Sequence, residues 1–131
     1  MDYLYKAALE AAEKAYAPYS GFKVGAAVEL DDGTIVTGNN QENAAYSMCL
    51  CAERVALCYA GANFPERKVV RIAVATPSSD RLITPCGACR QTMAETVRRQ
   101  GTEIEVVMTS PSEIRRASVA ELLPCAFGAQ D

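Results

Sequence analysis

Histidine is absent from the whole 131-residue sequence. That absence excludes histidine-based catalytic triads, imidazole metal ligands and imidazole acid–base chemistry together. Whatever chemistry the chain performs must draw on Cys, Glu, Asp, Lys, Tyr or a metal. No apolar run approaches the length of a membrane span, and the opening Met1-Asp2-Tyr3-Leu4-Tyr5-Lys6 lacks the basic-then-apolar layout of a secretion signal. The expected compartment is the cytoplasm, with no membrane partner. An excess of basic residues is also lacking. The net charge is -3, so the footprint of a protein that neutralises many phosphates is missing, and no nucleic-acid polymer is expected as a partner. Neither an internal repeat nor a low-complexity tract occurs.

What is present reads as one globular domain over residues 1–131: 50% of the residues are hydrophobic and 22% charged, enough apolar material at this length for a single core. Leu4, Ala8, Ala11 and Ala15 recur at helical spacing over residues 2–16, which ends before Pro18. Residues 22–30 and 34–37 flank Asp31-Asp32-Gly33 and read as a β-hairpin, with Gly25 leaving room for close approach to the strand. A polar loop over 38–47 precedes a helix at about 50–60. Val69 to Thr76 is a short apolar strand, Pro85 to Gln100 opens and fills a helix that Gly101 closes, and Glu103 to Met108 is another strand. A short helix follows near Val119–Leu123. Strands joined by helical crossovers predict a mixed sheet with helices on both faces.

Six cysteines are many for so short a chain. Without a secretion signal, metal ligation or redox chemistry is the better reading than disulfides. Cys86 and Cys89 share one face at a helix start, with Pro85 fixing the backbone before them. Cys51 offers a third thiolate from the start of another helix, where the dipole favours negative charge. Three protein ligands with an open position is the pattern of a catalytic zinc, whereas a structural zinc is closed by four. Glu53, two residues after Cys51, sits beside such a metal without having to ligate it and can shuttle protons.

Cys51-Ala52-Glu53-Arg54 and Pro85-Cys86-Gly87-Ala88-Cys89-Arg90-Gln91 resemble the zinc-dependent cytidine deaminases, of the short homotetrameric type. The resemblance extends through residues 17–27, through Glu42-Asn43-Ala44-Ala45-Tyr46-Ser47, and to Glu121-Leu122-Leu123-Pro124 with Phe127. It implies a three-layer α/β/α sandwich with a mixed sheet of about five strands. It also implies one zinc ion per chain on Cys51, Cys86 and Cys89. The implied activity is hydrolysis of free cytidine and 2′-deoxycytidine to the uridine products and ammonia in pyrimidine salvage, by zinc-activated water with Glu53 as the proton shuttle. The same resemblance gives Asn40 and Glu42 to the ribose, Phe22 to the face of the pyrimidine and the backbone of Ala52 to the base. Tyr46 and Phe127 match residues that complete a neighbouring subunit's site in a homotetramer. Three thiolates leave a zinc site at a formal charge of −1, which Arg54 and the two helix N-termini would offset. Asn39 stands where the family leads one to expect cysteine, Leu50 where several relatives are polar, and Cys125 at a usually small position.

Competing readings share these residues. Cys86 and Cys89 alone have the form of a redox dithiol, and Cys49 could supply a fourth sulfur to a closed structural zinc in a non-enzymatic module. Within the same chemistry, a deaminase of nucleoside analogues is the alternative. Cys49 and Cys58 otherwise read as small buried apolar residues.

Overall fold

The structure is a computed structural model that describes residues 2–129. Met1, Gln130 and Asp131, counted in the domain expected over 1–131, lie outside the described residues. Helix α1 (Asp2–Ala12) leads into the hairpin of β1 (Gly25–Leu30) and β2 (Ile35–Asn39), then α2 (Ala52–Asn63), β3 (Val69–Ala75), α3 (Gly87–Gln100), β4 (Glu105–Thr109), β5 (Ile114–Ser118) and α4 (Val119–Leu122). The strands form one sheet in the order β2-β1-β3-β4-β5. Among the described strands β3 and β4 run parallel, joined by α3 as the crossover, and the other pairs are antiparallel. The mixed sheet with helices is what the residue pattern predicts, and its five strands are what the family resemblance implies. Among the described residues no helix is long and apolar enough to cross a membrane.

Strand alternation sorts the core into two halves. Ala26, Val28, Ile72, Val106 and Met108 face α2 and α3, where they meet Ala56, Leu57 and Met93. Ala27, Ala73, Ala75 and Val107 face α1, through Leu4 and Ala8. The α1 side is lined with small residues, so the helix backbone comes down onto the sheet. A Cβ at Gly25 would lie 1.8 Å from the Ala8 carbonyl oxygen, which no repacking accommodates. Gly38 does the same for α2, since a Cβ there would lie 2.6 Å from the Ala56 nitrogen and 2.8 Å from the Ala52 oxygen. That contact seats the first turn of α2 against β2. The hairpin closes as its turn residues dictate: Gly33 takes φ +90°, and the Asp32 carboxylate accepts from the Thr34 N–H.

Two sequence expectations change. Helix α1 stops at Ala12, four residues short of the expected end, and its buried stripe is Leu4, Ala8 and Ala12, with Ala11 and Ala15 only half-buried. Distant partners terminate it. The Asn39 side chain donates to the Ala11 carbonyl (3.0 Å), and Tyr16 exchanges backbone hydrogen bonds with Asn40 and Glu42 (3.0 and 2.9 Å). Strand β5, which no sequence signal announced by position, lies at the sheet edge with Ile114, Arg115 and Arg116 exposed. Charged side chains on an edge strand hide its alternation while discouraging edge-to-edge association.

At the end of the sheet away from residues 24 and 40, Arg71 is the cross-strand neighbour of both Glu29 and Glu105. It donates to Glu29 at 2.6 Å and to Glu105 at 3.2 Å, and the Tyr3 hydroxyl donates to Glu29 at 2.7 Å. Burial pushes the Glu29 carboxyl up, but the hydrogen bonds from Arg71 and Tyr3 outweigh it and hold the group below the usual carboxylate range. A native pKa below the unfolded one gives stability that is present above the unfolded pKa and lost as pH falls through the native value. Glu29→Gln is therefore expected to lower stability at neutral pH by about 1–2 kcal/mol, after allowance for solvent screening. It should also flatten the loss of stability on acidification, as read by urea denaturation at neutral and acidic pH.

Candidate metal centre and cleft

Two helices begin at the same point in space. Cys51 is the N-cap of α2 and Cys86 the N-cap of α3, both extended, and Cys89 lies in the first turn of α3. The Cys51 and Cys86 sulfurs are 3.7 Å apart, those of Cys86 and Cys89 3.5 Å, and all three lie within 4.8 Å of one another. Paired backbone hydrogen bonds between Gln41 and Leu50 (2.9 and 2.8 Å) deliver the chain to Cys51. On the other side Pro85 is fully buried, and the Arg90 side chain donates to its carbonyl at 2.8 Å. Among the described residues this is the one group of three or more such side chains that could hold a metal ion. Soft sulfur donors in this number, with no fourth sulfur in the group, fit zinc with a coordination position left over.

The surroundings favour an anionic sulfur at Cys51. Hydrogen bonding from Cys89 first, then from Arg54 and Cys86, brings the Cys51 thiol down to about 5, while its role as donor to Cys51 and its burial push Cys89 up. Arg54 Nη2 lies 3.7 Å from the Cys51 sulfur and donates to the Cys49 carbonyl at 3.2 Å. Its Nε is buried with no hydrogen-bond partner among the described residues. Glu53, in the first turn of α2, is only 4% exposed. Burial raises its carboxyl to about 7, with the Cys51 thiolate adding to the rise.

Beside the sulfurs opens a cleft of about 380 Å³. Phe22, Val24, Leu50 and Ile83 give it apolar walls; Cys51, Ala52, Glu53 and Cys86 also line it, together with the polar Ser20, Asn40 and Glu42. No Lys or Arg lines it among the described residues. Asn40 and Glu42 already serve the protein. The Asn40 amide donates to the Phe22 carbonyl and accepts from the Val24 N–H, both at 2.8 Å. Glu42 accepts from the backbone N–H groups of Tyr19 and Ser20 at 3.0 and 3.1 Å and from the Ser20 hydroxyl.

Phe22, Asn40, Glu42, Ala52 and Glu53 thus converge with the cysteines, and Arg54 stands behind them. Tyr46 and Phe127 do not line this chain's cleft: they are 76% and 82% exposed. Tyr46 stacks edge-on against Tyr19 at 6.2 Å. Cys49 and Cys58 are not buried apolar residues. Cys49 is half-buried in the cleft wall with its sulfur turned to the Asn43 backbone, and Cys58 is exposed. Two of the unexpected residues have local reasons: the Asn39 side chain binds the Ala11 carbonyl at the end of α1, and Leu50 adds apolar surface to the cleft. Cys125 takes a left-handed conformation (φ 55°), and nothing in the structure explains a cysteine there. Sequence reasoning did not list Ser20, Val24, Ile83 and Thr84 as site residues. The first two stand inside the 17–27 motif and the last two immediately before Pro85, and adjacency to those motifs was the available signal.

Residues 1–102 match the family described as the cytidine and deoxycytidylate deaminase zinc-binding region. A cytidine deaminase from Halalkalibacterium halodurans is 45% identical over 129 residues, 98% of this chain and 94% of that protein. One from Mycobacterium tuberculosis is 40% identical over 124 residues, 95% of this chain and 86% of that one. In structure, the fold is similar to the crystal structure of cytidine deaminase from Burkholderia pseudomallei, with TM-score 0.84 and 45% identity, covering 96% of this chain and 98% of that one.

Metal analysis after dialysis against a chelator separates the three-sulfur centre from a closed four-sulfur site. Cys49→Ser is expected to retain one zinc per chain and Cys86→Ser to lose it. Arg54→Gln should hold zinc about 10–100-fold more weakly, as for other groups that support metal ligands.

Proposed function

The chain belongs to the cytidine and deoxycytidylate deaminase family, and we propose that its cleft takes a free pyrimidine nucleoside with the 4-amino group toward the sulfurs. It is a zinc-dependent hydrolase that converts cytidine to uridine and ammonia. The observation that carries this reading is the juxtaposition of a buried glutamate, a three-cysteine donor set and one apolar cleft of nucleoside size.

Cys51, Cys86 and Cys89 hold the metal. Zinc bound there supplies the Lewis acidity that makes a water nucleophilic at neutral pH. Glu53 does the proton work. It accepts a proton from the attacking water and delivers it to N3 of the pyrimidine, which makes C4 electrophilic. When the C4–N bond breaks, it passes the remaining hydroxyl proton to the departing amine, which leaves as ammonia while the C4 carbonyl forms. Arg54 draws charge from the Cys51 sulfur and offsets the negative charge of three thiolates. Phe22 packs on the base, the Ala52 backbone holds its polar edge, and Asn40 and Glu42 face the ribose with the acceptor and donor capacity their loop contacts leave over.

The lining supports a nucleoside over a nucleotide. A 5′-phosphate entering past Glu42 would meet a carboxylate and, among the described lining residues, no Lys or Arg, and like charges placed together disfavour binding. Deoxycytidine lacks only a hydroxyl and is accepted in the same pose, which suits a role in pyrimidine salvage. Each cleft is completed in a homotetramer, where Tyr46 and Phe127, so exposed on their own chain, cover a neighbour's opening.

Loss of ultraviolet absorbance is expected with cytidine and deoxycytidine and not with cytidine 5′-monophosphate. Glu53→Ala should slow the reaction by at least about 10²–10⁴-fold with zinc still at one per chain. A zinc-loaded wild type that leaves cytidine unchanged would sink the reading. The shared site has its own test: mixed tetramers of inactive Glu53→Ala and weakened Phe127→Ala chains should regain activity that neither shows alone. No regain on mixing would mean Phe127 does not serve a neighbour.

A further inference from the structure

The wall that carries Phe22 and Val24 is held from two sides, and only one side belongs to the groups already given a role. Residues 22–24 precede β1 and continue its line between the extensions of β2 and β3. From the β2 side Asn40 binds the Phe22 carbonyl and the Val24 N–H. From the β3 side the turn after Ala75 binds the residue between them. The Thr76 hydroxyl donates to the Lys23 carbonyl at 2.5 Å, and the Lys23 N–H donates to the Ser78 hydroxyl oxygen at 3.0 Å. The Ser78 N–H in turn donates to Thr76 Oγ1 at 3.0 Å, so Thr76 and Ser78 form a closed latch around the backbone of one residue, Lys23.

Alternation along this segment gives the latch its consequence. Phe22 and Val24 line the cleft, whereas Lys23 does not and reaches back to the Glu13 carbonyl. Thr76 is 7% exposed and lies outside the cleft lining. It cannot touch a nucleoside; it fixes the backbone from which two cleft side chains project. The far end of the same connection is anchored independently, by Ile83 N–H to the Thr109 carbonyl (3.0 Å) and by Arg90 to the Pro85 carbonyl. Loosening the latch therefore moves the Phe22 wall and leaves Cys86 in place.

Resting on the nucleoside reading above, we infer that Thr76, assisted by Ser78, is a positioning residue that sets the affinity of the cleft for its substrate through the Lys23 backbone. A wall that contacts substrate and transition state alike contributes uniform binding, so its displacement raises KM and spares kcat.

The test is steady-state kinetics on cytidine with zinc-loaded wild type, Thr76→Val, Thr76→Ser and Ser78→Ala. Thr76→Val keeps the side-chain volume and removes the hydroxyl. It is expected to raise KM about 3–10-fold, the scale of one lost hydrogen bond, with kcat within about twofold and zinc unchanged. Thr76→Ser restores the donor and should restore KM. Ser78→Ala, which leaves the Thr76 bond intact, should raise KM less, and it carries the test if Thr76→Val does not fold. An unchanged KM in the folded variants overturns the inference, as does a KM rise that serine fails to rescue or a loss of kcat accompanied by loss of zinc. A wild type inactive on cytidine would instead remove the underlying reading, so the two failures are distinguishable.

Discussion

Everything at the site depends on two helix N-termini being brought to one point. A helix start leaves unpaired N–H groups and a positive end, and placing two of them together would be unfavourable were it not for the anionic sulfurs there. Cysteine as the N-cap of both α2 and α3 answers that electrostatic demand and creates the donor set in the same step. The sheet supplies the geometry. Helix α2 can reach the meeting point because Gly38 lets its first turn lie on β2, and α3 reaches it as the crossover between the parallel strands β3 and β4.

On the proposed reading, the polar residues of the cleft do two tasks with one set of atoms. Asn40 and Glu42 spend hydrogen bonds on the 19–24 segment, which makes the cleft wall and its polar rim one cooperative unit. A substrate meeting that rim finds groups whose orientation is fixed in advance, so less conformational freedom is lost on binding.

Much of this was legible in the chain because the informative residues are close together in sequence. Cys51-Ala52-Glu53 and Pro85 to Cys89 are local patterns that act at the ends of local structures, and the Asp31-Asp32-Gly33 turn specifies its own hairpin. What was not legible depends on distant partners. The end of α1 is decided by Asn39 and by Tyr16 pairing with Asn40 and Glu42, none of which lies in the helix. Strand β5 owes its existence to β4, since its own side chains are those of an exposed edge. The residues that border the cleft without belonging to a motif, such as Ile83, enter it because the β3–α3 connection passes there. The Thr76 latch is likewise a contact between residues 53 apart.

The sulfurs that converge here come from chain segments 35 residues apart, held on two different helices. A metal bound to all three is therefore a cross-link as well as a cofactor, and it binds the folded chain far better than the unfolded one. By mass action the free zinc concentration becomes a variable of the protein's stability. Scarcity of the metal therefore lowers the stability of the folded chain along with the activity of each molecule, so the supply of one ion bears on both the endurance and the competence of the enzyme.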